Sequence, residues 1–254
     1  MSRYIISILF FLCFLNGRAQ DEPINFQPQD SVVQKQTYGL RVGIDLSRII
    51  ISQTTDDYTG IELVGDYRLK EKLYIAGELG NEKKTKQEDL YNFTTSGSYL
   101  KLGVDYNTYE NWYGMNNTIF IGGRYAVSSF SQTLNNFQYF DTNRYWNPDS
   151  FPNGSSEARE FSGLTASWLE FVFGLKAELF ANLYLGGSVR VGFLVNNKEA
   201  EEFPNLFIPG FNKVTDDSKF GVGYNYSLTY MIPLYKKAKK KNKEEIIIEN
   251  ENEQ

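Results

Sequence analysis

Eight segments of this chain, each about ten residues long, alternate apolar and polar side chains with a period of two. In NLYLGGSVRVGFLV (residues 182–195), Leu183, Leu185, Val189, Val191 and Phe193 fall on one side of an extended strand. Tyr184, Gly186, Ser188, Arg190 and Gly192 fall on the other. SWLEFVFGLKAEL (167–179) sets Leu169, Phe171, Phe173, Leu175 and Leu179 against Glu170, Gly174, Lys176 and Glu178. The same rule holds over 37–48, 60–69, 72–80, 98–107, 117–127 and 219–232. An α-helix cannot produce this period, and eight repetitions leave little room for a fold that is not built from strands. The 16% aromatic content and only 7 prolines suit such a fold.

From Tyr38 to Leu46 in the first of these spans, and throughout the others, the apolar face carries no Lys, Arg, Asp or Glu. The other face carries Arg41, Asp45, Glu62, Asp66, Arg68, Glu78, Lys101, Asp105, Arg124, Glu170, Lys176, Glu178 and Arg190. Six positive against seven negative charges make a near-balanced set. Balance is what a crowded interior requires, because an unpaired buried charge is costly. An apolar face turned outward over eight strands needs lipid around it. The expected fold is therefore an all-β, eight-stranded, antiparallel, up-and-down transmembrane barrel, with outer-membrane lipid as its first partner.

The connections support that layout. Short links after the second, fourth and sixth strands alternate with long polar loops after the first, third, fifth and seventh. Periplasmic turns and extracellular loops alternate in this way, with both termini on the short-turn side. Tyr38, Tyr67, Trp168 and Tyr230 near strand ends read as interfacial girdles. The alternative is a barrel that binds a small hydrophobic ligand, either a soluble lipocalin-like barrel, which is the same pattern turned inside out, or an outer-membrane ligand carrier.

The flanks read differently. Arg3, the apolar run Ile5–Leu15 and the small residue Ala19 form a signal peptide over residues 1–19, a mark of export to the cell outer membrane. Its removal would take away Cys13, the only cysteine. Losing Arg3 and Arg18 would leave 24 basic against 31 acidic residues, a surface that excludes nucleic acid as a partner. Residues 20–36 read as a periplasmic N-terminal segment, 37–234 as the barrel, and 235–254 as a disordered, Lys-rich then Glu-rich periplasmic tail.

There is no histidine in the chain, which removes Ser-His-Asp triads and His-bearing zinc sites. No phosphate-cradling loop or EF-hand pattern occurs. No catalytic, cofactor or metal residue is assigned, and the expectation is a protein that is not an enzyme. Two loops stand out by their aromatics: 129–163, with Tyr145 and Trp146, and 196–218, with Phe207 and Phe211. These four are the candidate anchors for an extracellular partner, since aromatic side chains dominate binding hot spots. A packed cap over the barrel mouth is the competing use.

Residues 38–235 also resemble a Bacteroidota family catalogued as a domain of unknown function. The matching stretches are YGLRVGIDLSR, GDYRLKEKLYIAGELGNE, YNTYENWYGM, GLTASWLEFVFGLKAELF, IPGFNK and KFGVGYNYSLTYMIPLYKK. The resemblance implies an outer-membrane barrel and supplies no activity or site residues. In architecture the chain is similar to OmpA/OmpX-type barrels, porin-like in its wall, although eight strands enclose too little space for a general pore.

Overall fold

The computed structural model describes residues 35–109, 117–137, 157–200, 203–213 and 219–238. The expected leader, most of the N-terminal segment, Tyr145, Trp146 and the tail beyond Ala238 lie outside them.

Eight long strands close into one barrel. They are β1 (Lys35–Asp45), β2 (Tyr58–Arg68), β3 (Leu73–Gln87), β4 (Tyr91–Asn107), β5 (Thr118–Phe137), β6 (Arg159–Phe180), β7 (Leu183–Lys198) and β10 (Phe220–Ala238). Each pairs antiparallel with its neighbours, and β1 closes the ring against β10. A helix, α1 (Leu46–Thr54), follows β1, and a short hairpin of β8 (Phe207–Ile208) and β9 (Asn212–Lys213) precedes β10. Among the described residues no helix is long and apolar enough to cross a membrane.

The alternation decides which face is inside. Leu63, Leu102, Phe171, Phe173 and Val189 are each more than half exposed, whereas Glu62, Lys101, Glu170 and Arg190 are buried. The apolar side chains thus form a continuous belt around the outside. Space inside is tight enough to demand glycine: a Cβ on Gly122 would run into the Asp105 carboxylate.

Three expectations change. The long loop expected after β3 is instead strand, since β3 and β4 run on to a hairpin at residues 88–90. The segment after β1 is helix α1, started by Asp45, whose carboxylate accepts from the Ser47 main-chain N–H at 2.7 Å. The last strand continues to Ala238, paired with Lys35, so the barrel begins and ends beyond the expected boundaries of 37 and 234.

Two of the four girdle residues also move inward. Trp168 is fully buried, on the same side as Glu170. Tyr38 is buried and stacks on Tyr235, with ring centroids 5.2 Å apart. Beside it the β1–β10 register slips by one residue between Tyr38 and Gly39, a bulge that re-aims the ring.

Candidate functional site

The interior holds three tiers of charge, stacked along the barrel. In the lowest, Arg41 and Asp66 face each other across β1 and β2 and pair at 2.7 Å, and Lys176 from β6 reaches the second Asp66 oxygen. The Arg41 guanidinium lies over Tyr74 at 4.8 Å and Tyr184 at 5.2 Å. Arg68 lies over Tyr38 at 4.8 Å and donates to the Glu71 and Thr37 carbonyls. Cations resting on aromatic faces gain from the negative face of the ring. Glu178, half-buried at the short-turn end, accepts from the Asn182 main-chain N–H at 3.0 Å.

In the middle tier Arg190 donates both terminal nitrogens to Glu78, the planar fork matching the carboxylate. Arg124 joins Glu78 at 3.5 Å and Asp105 at 2.7 Å. Lys101 pairs with Glu170 at 2.8 Å, and the Trp168 indole N–H donates to the same oxygen at 2.7 Å.

The upper tier depends on a residue that alternation could not find. Arg48 from α1 enters the barrel and meets Glu82 at 3.0 Å, Asp45 at 3.7 Å and Glu62 at 3.9 Å. The Tyr99 hydroxyl donates to Glu62, and Asn225 donates to the other Glu62 oxygen at 3.0 Å. Arg48 and Glu82 add one charge of each sign to the thirteen residues read from sequence. Glu82 was legible as the next inward position after Glu78 and Gly80. Arg48 was hidden because the alternation of the first strand stops at Leu46 and the residues after 48 read as a long polar loop.

Above this tier the 203–213 segment folds into the barrel mouth. Gln132 holds it by donating to the Pro204 carbonyl at 2.9 Å and accepting from the Leu206 N–H at 3.2 Å. Phe211 packs edge-on against Trp168, with centroids 5.6 Å apart, and Phe207 is buried beneath the Lys84 ammonium. Phe207 and Phe211 therefore do not stand out as partner anchors. They are the packed cap, because each ring removes more apolar surface from water inside the mouth than on a loop tip. Part of the 129–163 loop is strand as well, and its Phe130 is buried in the same cluster.

Gly210 sits at the turn of this cap with φ +84°, directly over the Tyr99 ring, and donates to Glu82 at 3.2 Å. Gly210→Ala adds a Cβ against that ring and a left-handed strain of roughly 1–2 kcal/mol. We expect a correspondingly lower denaturation midpoint and faster proteolysis within 203–213. An unchanged midpoint would show that the turn relaxes freely.

Two cavities between the tiers measure about 10 and 30 Å³, enough for one or two waters. Neither is an apolar ligand chamber of the lipocalin kind, since charged side chains line both.

No curated protein matches the sequence. Among solved structures, that of Ail, the attachment invasion locus protein of Yersinia pestis, is 8% identical, covering 78% of this chain and 99% of that one, with a TM-score of 0.39. That of CarO2 from Acinetobacter baumannii is 13% identical, covering 78% of this chain and 100% of that one, with a TM-score of 0.36. The family described as Domain of unknown function (DUF6048) matches residues 1–237, nearly the whole length. An eight-stranded barrel with a charge-filled, capped interior is thus the form taken here by a member of the DUF6048 family, to which this chain belongs.

Proposed function

We propose that the protein is a non-enzymatic barrel of a bacterial outer membrane, with a structural or surface-interaction role rather than a transport one. The phylum, Bacteroidota, rests on the sequence resemblance alone. The observation that carries the reading is the inverted distribution of side chains. Exposed Leu, Val, Ile and Phe ring the outside, while the ion pairs are inside. Water on that exterior would leave an apolar area far larger than a soluble monomer tolerates. Membrane fractionation with heat-modifiable migration on unboiled gels tests it. Recovery of the chain in the soluble periplasmic fraction would overturn it.

A closed interior leads to a second expectation. The monomer reconstituted in planar bilayers should show no large, steady conductance, because side chains fill an eight-stranded barrel. Stable porin-like steps would contradict this.

The surface role belongs to the end opposite the short turns, where β4, β5 and β6 run to 17, 20 and 22 residues. A membrane crossing takes about 9–11. Tyr145 and Trp146, which fall between β5 and β6 in the sequence, remain the proposed partner anchors. Replacing both with alanine should leave heat-modifiable folding intact and abolish capture of a surface partner by crosslinking on intact cells. Loss of folding would mean that these rings are cap, as Phe207 and Phe211 are.

A further inference from the structure

The outer wall changes character across two adjacent rows of side chains. Leu79, Leu100, Val127, Ser167 and Asn196 stand in register across β3 to β7. The row above is Asn81, Ser98, Ser129, Thr165 and Lys198, in register on the same five strands. The row below includes Leu102, Tyr125, Leu169 and Phe193 and is wholly apolar apart from the tyrosine hydroxyl. Rows lie roughly 7 Å apart, and five strands span roughly 19 Å. The belt therefore gives way to a neutral hydroxyl and amide surface within the thickness of one lipid head group.

At this border the wall is indented. Ser98, Ser129 and Ser167 are small beside Leu100, Tyr125 and Val127, and together they outline a groove of about 530 Å³. Asn81 donates to Ser98 at 2.9 Å, which fixes one end of the polar row. Lys198 stands exposed at the other end, paired in register with Thr165. No carboxylate belongs to either row, although the chain as a whole is net negative. The groove thus offers an apolar floor and a row of hydroxyls, and Lys198 stands just outside it, in register with the Thr165 that lines it.

We propose that this groove holds one anionic lipid of the membrane around the barrel. Its acyl chain lies on Leu100 and Tyr125, its head group on Ser98, Ser129 and Thr165, and its phosphate toward Lys198. The proposal rests on the reading of the barrel as a membrane protein. Its chemistry separates it from the general lipid annulus, which needs only the apolar belt. Hydroxyls accept and donate to a glycerol or sugar head, and the lysine selects a negative one.

The test is retention of lipid by the full-length barrel, refolded into vesicles of equal parts phosphatidylglycerol and phosphatidylcholine. The barrel is then released in mild detergent and weighed by native mass spectrometry. We expect one phosphatidylglycerol to stay bound and no phosphatidylcholine. Lys198→Gln should lower phosphatidylglycerol retention about fivefold. Ser129→Leu with Ser167→Leu should fill the groove and abolish retention. Heat-modifiable migration monitors folding of each variant, and if the leucine pair fails to fold, Lys198→Gln decides. Equal retention of the two lipids, or undiminished retention by a folded variant, overturns the lipid site. Failure of the wild-type chain to fold into any vesicle overturns the membrane reading instead.

Discussion

Replacing Glu78 with leucine is expected to remove about 3–5 kcal/mol from the stability of the folded barrel, the usual result of stripping one partner from a buried ion pair. Glu78 is the acceptor for both terminal nitrogens of Arg190 and lies 3.5 Å from Arg124. Without it, two guanidinium groups face each other in a space closed to bulk water. The companion variant, Glu78→Leu with Arg190→Leu, should recover most of the loss. Arg124 keeps Asp105 at 2.7 Å, and Glu170 keeps Lys101 at 2.8 Å, so no charge is left alone. Reversible denaturant titration of barrels refolded in vesicles measures both. A single variant as stable as wild type would mean that water reaches this tier. A double variant worse than the single would mean that packing, not charge, holds it.

Val191→Arg makes the complementary prediction on the other side of the wall. Val191 is exposed, between Val189 and Phe193 on the outward face of β7, and its strand neighbours Phe171 and Val222 are exposed too. A cation placed there near the bilayer midplane should cost roughly 2–4 kcal/mol, while the same change near the interfaces costs much less. Thr165→Arg, on the polar upper row, is the matched control and should be nearly neutral. Equal losses at both positions would contradict the assignment of the belt. Equal tolerance at both would point to a wall bathed in water.

How much of this was legible in the sequence follows from contrast between faces. Where one side of a strand is apolar and the other charged, period two fixes the strand, its facing and its neighbours, and the lower and middle tiers follow residue by residue. The contrast fades above the belt. Thr94, Ser96 and Ser98 point outward on β4, while Thr95 points inward. Both sides are polar there, so nothing in the pattern tells strand from loop. That is why the extensions of β3 to β6 read as loops.

Trp168 shows the opposite error. Its parity with Glu170 placed it inside, but an aromatic near a strand end reads as girdle until the buried carboxylate that accepts its N–H is seen. Tyr38 was beyond reach, since one slipped residue in the β1–β10 pairing turns its ring over. The cap posed a similar problem. FPNLFIPGF names apolar rings on a loop, and only the mouth formed by Tyr99, Trp168 and Gln132 says where they go.

The central claim is that the apolar face of these strands meets lipid. A nitroxide attached at Phe171→Cys, in a chain whose Cys13 is replaced by serine and which is refolded into vesicles, tests it most directly. Collision with oxygen, which concentrates in hydrocarbon, should be frequent, and collision with a water-soluble nickel chelate should be rare. A label at Phe171→Cys that meets the nickel chelate freely, on a protein that stays folded without vesicles, would contradict the account.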